Sequence, residues 1–183
     1  MKTLLRRIQV LDIEGRKLTG RTVSEKRVQK SILRLLRKNE LCSMATVRGL
    51  NRAHISHVYF CYSENLELYF LSYRHSTHAR NLKTNSSMAV TIFDSSQKWG
   101  RPNRGMHLYG ICREAKGNQA MKAEQLYGAR FRPYQKWMES LRKNDKRRAE
   151  QLQFYRFVPG QIKILDENEF GDTFVTAAVK KAW

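Results

Sequence analysis

At 183 residues the chain is long enough to bury a sizeable core as a single domain. With 41% hydrophobic and 28% charged residues it is not a disordered polymer, and no apolar run approaches the roughly 18 residues of a membrane-spanning helix. Thirty-five basic residues against 16 acidic ones leave a net charge of +19, a field that attracts polyanions. Nucleic acid is therefore admitted as a partner. It is not favoured, because the basic residues are scattered and carry no nucleic-acid-binding motif, so a solvated basic surface is the simpler reading.

Residues 1–24 read as an N-terminal extension, in which "RRIQVLDIEGRKLTG" suggests a short strand and a turn. The opening "MKTLLRRIQVLDIEGRK" lacks the apolar segment and small-residue cleavage site of a secretion signal, so a cytoplasmic location is expected. Thr22 and Glu25 have the spacing of a capping box. Val28, Ile32, Leu35 and Leu36 then form an apolar stripe at helical spacing, predicting a helix that ends near Asn39.

Strand signals follow closely. "LCSMATV" (41–47) leads to a turn at Gly49–Asn51, and "AHISHVYFCYS" (53–63) and "ENLELYFLSY" predict a hairpin. "THARNLKTN" (77–85) predicts one short helix. "MAVTIFD" (88–94) alternates like a strand with two distinct faces. "SSQKWGRPNRG" reads as a loop, and "MHLYGICREA" as a strand in which Gly110 suggests a bulge or a close approach. "GNQAMKAEQLYGARF" predicts a helix ending before Pro133, and "YQKWMESLRKNDKRRAEQ" a second, very basic one. "FYRFVPGQIKILD" (154–166) returns to strand, with a turn at Pro159–Gly160. Antiparallel strands with a helix inserted after the third imply an α+β chain built on a β-barrel with peripheral helices. Cys42, Cys61 and Cys112 lie in strand-like runs without metal spacing and read as buried free thiols.

The stretch "YFLSYRHSTHARNL" ends a strand and enters a helix through a cluster of hydroxyls, histidines and arginines. A helix N-terminus offers free N–H groups and the positive end of a dipole, so Ser72, Ser76, His78 and Arg80 form a candidate anion site. The simpler reading is that Ser76 or Thr77 merely caps the helix. His54 and His57 share an H-x-x-H spacing, but residues three apart in a strand point to opposite faces, which argues against a metal. No paired carboxylates, catalytic triad or P-loop is present, and no catalytic residue can be named.

The order "AHISHVYF", "LYFLS", S-x-H-A-R-N, "SSMAVTIFD", "GICREA" resembles the pyridoxamine 5′-phosphate oxidase-like superfamily of FMN-binding split β-barrels, from about Leu41 to Ala115. The resemblance implies a single split-barrel domain over 1–183, with a flavin-binding core at 41–116 and helices plus a C-terminal strand segment at 117–183. It implies a homodimer with FMN as cofactor, and Ile55, Ser56, His57, Val58 and Tyr59 beside the isoalloxazine. Ser72, Ser76 and His78 would hold the phosphate, with Arg80 nearby. Asp94, Ser95, Ser96, Gln97 and Trp99 lie on a loop that approaches the cofactor in such proteins. Tyr59, Tyr69 and Met106 are candidates for a face covered by the second copy.

His78 stands where lysine is common in this superfamily, and the arginine-rich C-terminus of true pyridoxamine phosphate oxidases has no clear counterpart, so vitamin B6 chemistry is not implied. The leading expectation is an FMN-dependent oxidoreductase acting on a small organic substrate. The alternatives are a deazaflavin (F420) reductase, a non-catalytic flavin- or haem-binding protein, and a polyanion-binding dimer.

Overall fold

The computed structural model describes residues 3–180. Among them are eight strands and six helices, in the order β1 (Leu5–Leu11), α1 (Glu25–Lys38), β2 (Leu41–Arg48), β3 (Arg52–Tyr62), β4 (Leu68–Tyr73), α2 (Thr77–Thr84), β5 (Ser87–Phe93), β6 (Arg104–Glu114), α3 (Asn118–Arg130), α4 (Tyr134–Asn144), α5 (Lys146–Glu150), β7 (Leu152–Asp166), α6 (Glu167–Phe170) and β8 (Phe174–Val179). The strands hydrogen-bond in the order β1-β8-β7-β4-β3-β2-β5-β6, and β6 also pairs with β7. The pairings from β7 through β4, β3, β2, β5 and β6 thus return to β7, as a split barrel requires. No helix of the described residues is long and apolar enough to cross a membrane.

The chain forms two compact units. The first comprises the N-terminal segment through Cys42, Ala89–Gly110, and the segment from Pro159 onward. Its helix α1 buries Val28, Ile32, Leu35 and Leu36, the stripe seen in the sequence. Each fully buried aliphatic side chain of this kind contributes on the order of 1.5–3 kcal/mol. The N-cap is Ser24, whose hydroxyl accepts from the Arg27 N–H, and not Thr22. Glu25 does not reach back to a cap. It accepts from the backbone N–H groups of Leu4 (2.6 Å) and Leu5 (2.8 Å) and so ties the start of β1 to the helix. Asp166 is wholly buried and accepts from the Ser31 hydroxyl at 2.7 Å, with Arg34 and Arg104 at 3.5 and 3.2 Å compensating its charge. At Gly105 the backbone approaches β5 closely: a Cβ there would stand 3.3 Å from the Phe93 Cβ, tighter than ordinary van der Waals contact.

The second unit comprises Ser43–Met88 and Ile111–Val158. Strands β3 and β4 form the expected antiparallel hairpin, with Phe60 opposite Phe70 and Cys61 opposite Tyr69. Its core gathers Cys61, Tyr69, Ala115, Ala123, Tyr134, Met138, Ala149 and Phe154. All three cysteines are buried and outside any disulfide, and burial pushes the thiols of Cys42 and Cys61 up to about 12, so neither is a nucleophile.

Three expectations change. The single basic helix after Pro133 is two, because the chain breaks at Asp145, whose carboxylate caps α5 by accepting from the Arg148 N–H. Pro159–Gly160 is not a turn: β7 runs unbroken through it, pairing with β4 up to Phe157 and with β8 from Gln161. Proline lacks the N–H a ladder needs, and it sits where the strand changes partners. Tyr69 and Met106 do not lie on an open face; both are buried in the chain's own core, whereas Tyr59 is exposed. The Gly49–Asn51 turn is present as read, with Leu50 (φ 61°) and Asn51 (φ 57°) in the left-handed region.

Candidate functional site

The phosphate-cradle residues expected from the sequence fall together in the second unit. Ser72, near the end of β4, places its Oγ 2.7 Å from His78 Nε2 and 3.3 Å from Ser76 Oγ. Ser76 is the N-cap of α2, and its hydroxyl also accepts from the Ala79 N–H. His78 is buried, edge-on to the Phe70 ring. Burial, and secondarily the charge of nearby His54, lowers its pKa from 6.5 to about 4, so the imidazole is neutral at physiological pH. Arg80 is exposed one residue beyond Ala79 and is not part of this hydrogen-bonded trio.

Along β3 the pleat divides the predicted flavin-facing segment in two. Ile55, His57 and Tyr59 are exposed, whereas Ser56 and Val58 are half-buried on the other side, where Ser56 Oγ lies 3.0 Å from His54 Nε2. His54 and His57 therefore face opposite ways, as strand geometry dictates.

Ser72 also belongs to a groove of about 560 Å³ whose other walls are Tyr59, Leu71, Tyr73, Tyr127, Phe131, Pro133, Tyr134, Trp137 and Leu152. The volume suits a ring-sized ligand. The aromatic walls brace one another: Tyr59 meets Phe131 edge-on at 5.7 Å, Phe131 lies 4.6 Å from Tyr127, and Tyr127 meets Tyr134 at 5.2 Å. The Arg130 guanidinium sits 5.1 Å over Phe60 and 5.9 Å over Phe131, which fixes the latter ring. Burial raises Tyr127 to about 12 and raises Tyr134 as well, so both phenols stay protonated. The arrangement is amphipathic, with a flat apolar slot whose edge carries a hydroxyl bonded to a second hydroxyl and an imidazole.

The sequence reading missed most of this slot. Tyr127, Phe131, Tyr134 and Trp137 stand three or four residues apart across the end of α3 and the start of α4, and that dense aromatic spacing in an otherwise charged stretch was the available signal.

The loop residues Ser95, Gln97 and Trp99 belong to the first unit. Gln97 is committed to the loop itself: its amide donates to the carbonyls of Asp94 and Arg104 and accepts from the Arg104 N–H at 2.6 Å. Asp94 accepts from the Ser96 hydroxyl and is ion-paired with Lys38 at 2.6 Å. Ser95 is exposed, and Trp99 wholly so, which leaves these two available to a ligand.

Comparison with known proteins places this geometry in a family. A protein of the pyridoxinephosphate oxidase family from Clostridium acetobutylicum, related to general stress protein 26, superposes with a TM-score of 0.58 at 13% identity, covering 85% of this chain and 96% of its own. HutZ, the heme storage protein of Vibrio cholerae, superposes with a TM-score of 0.57 at 15% identity, covering 72% and 89%. A heme binding protein from Mycobacterium smegmatis gives a TM-score of 0.63 at 12% identity, covering 86% of this chain and 59% of that one. At such identities the likeness is one of fold. A comparison with curated proteins finds no match. The family model for pyridoxamine 5′-phosphate oxidase matches residues 28–166, from the first buried residue of α1 to the end of β7, and the chain belongs to that family.

Proposed function

We propose that this chain binds FMN in the aromatic groove and acts as an FMN-dependent oxidoreductase on a small organic substrate, working as a homodimer. The observation that carries the reading is the double role of Ser72, which lines the apolar slot and hydrogen-bonds both Ser76 and His78. One end suits a planar ring and the other an anion. When bound, the flavin supplies the redox chemistry.

The chain's own residues do the rest. Tyr59, Tyr127, Phe131 and Trp137 exclude water from the ring and orient it. Ser72, Ser76 and neutral His78 offer hydrogen bonds to phosphate oxygens, with the exposed Arg80 supplying charge. Ser72 already hydrogen-bonds Ser76 and His78, which supports their acting together on one anion.

Haem is the second reading, favoured by the fold shared with HutZ and the mycobacterial heme binding protein. The groove argues against it. Among the described residues its walls hold no histidine, cysteine or methionine, and its raised tyrosines are poor phenolate ligands.

Titrating the protein with FMN, F420 and haem, followed by absorbance and calorimetry, separates the readings, and tight FMN binding is expected. Ser72→Ala should weaken FMN by roughly 10- to 150-fold, the cost of one hydrogen bond to a charged group. Arg80→Ala should do the same if the arginine closes on the phosphate, but should change affinity less than about twofold if it stays solvated. An unchanged affinity in both variants would remove the cradle assignment.

A further inference from the structure

Helix α1 and the α4–α5 pair each carry six basic residues, but they use them differently. In α1, Arg27 pairs with Glu169 at 3.0 Å, Arg34 with Asp166 and Glu169 at 3.5 Å, and Lys38 with Asp94 at 2.6 Å. Half of its cations are neutralised by carboxylates of the same unit. In α4–α5, only Arg142 has a carboxylate within ion-pair distance among the described residues, Glu124 at 3.5 Å. Arg148 donates to the Tyr73 hydroxyl, not to a carboxylate, at 2.6 Å and lies over the Tyr73 ring. Lys136, Lys143, Lys146 and Arg147 are exposed. Trp137, next to Lys136 in the sequence of α4, is 44% exposed.

We propose that the α4–α5 surface binds single-stranded nucleic acid, its lysines and arginines taking backbone phosphates and Trp137 stacking on a base. Unneutralised cations beside an exposed aromatic ring are the pairing that such binding uses, since every base offers a π-face and every nucleotide a phosphate. An anionic bilayer, the other large polyanion, fits less well. An interfacial helix needs a free apolar face, and here that face is already spent: Tyr134, Met138 and Ala149 are buried in the core of the second unit.

The test is fluorescence anisotropy of a labelled 20-nucleotide oligothymidylate with the full chain, over roughly 50–200 mM salt. The variant Lys143→Gln/Lys146→Gln/Arg147→Gln is compared with a charge-matched control in α1, Lys26→Gln/Lys30→Gln/Arg37→Gln. Three lost phosphate contacts should lower the slope of log K against log salt by about 2 and weaken binding on the order of 100-fold at 0.1 M salt, while the control stays close to wild type. Trp137→Ala should weaken binding by roughly 5- to 150-fold without changing the slope. The triple variant should retain wild-type FMN affinity, because none of its positions lines the groove, so this proposal can fail while the flavin reading stands. Equal losses in the α1 and α4–α5 variants would reduce the effect to diffuse net charge and overturn the proposal. Preferential binding to phosphatidylserine vesicles, with no competition from oligothymidylate, would overturn it in favour of a membrane.

Discussion

His78 shows how much a neighbourhood can change one side chain. In sequence it stands where a permanently charged lysine is common, and an ordinary imidazole is mostly neutral at pH 7. Burial against Phe70 and the nearby charge of His54 move it much further, from 6.5 to about 4. Between those two values the unfolded chain binds a proton that the folded chain refuses, so stability falls as pH drops from about 6.5 towards 4. Urea titrations at pH 7 and pH 5 should differ by about 1–2 kcal/mol from this residue. His78→Gln should flatten most of that slope. His107, also lowered by burial and by Lys163, retains a smaller share. If the variant and wild type lose stability in parallel, the buried neutral imidazole is not the source.

At the scale of elements, the order of strands and helices was legible because each carried its own periodicity. The α1 stripe, the β3–β4 hairpin and the Met88, Val90, Ile92 alternation of β5 all appear as read. What could not be read locally was set by partners distant in sequence. The stretch around Pro159–Gly160 looks like a turn because those residues usually make one, yet β7 keeps going as its ladder passes from β4 to β8. Likewise β8 has no local signal strong enough to mark it, and it forms by pairing with β1 and β7. The clustering of Ser72, Ser76 and His78 was legible because these residues are close in sequence. The aromatic slot was not, since it draws on β3, β4, α3, α4 and β7.

The β2–β3 turn offers a test of a local rule. Leu50 holds φ 61° and is 90% exposed, so it bears the cost of a left-handed branched side chain and buries nothing in return. Leu50→Asn should raise stability by about 0.5–1 kcal/mol in a denaturant titration, because asparagine tolerates that conformation. A loss of stability would mean that the leucine makes a contact the monomer does not show.

For the whole molecule, assembly and charge are the open properties. The outward side of β3 exposes Ile55 and Tyr59, a concentration of apolar surface in the second unit that a copy of the chain would cover. On that proposal, sedimentation at micromolar concentration should give a dimer, and Ile55→Asp should shift it towards monomer. A wild-type monomer would leave those side chains without the suggested role. The net charge of +19 was legible at once, but its distribution was not. Only the structure separates cations held by carboxylates, as in α1, from those left to the solvent, as in α4–α5.

The pairing of β1 with β8 sets a condition on biosynthesis. Leu5 lies opposite Val179 and Leu11 opposite Phe174, so β1 waits for a strand translated long after it. The second unit draws only on residues up to Val158 and can close on the ribosome, while β1 still lacks its partner β8. A nascent chain stalled before Phe174 emerges should therefore be cleaved by protease within residues 5–11, and release of the full chain should protect them. Protection already present in the stalled chain would show that β1 finds another partner first.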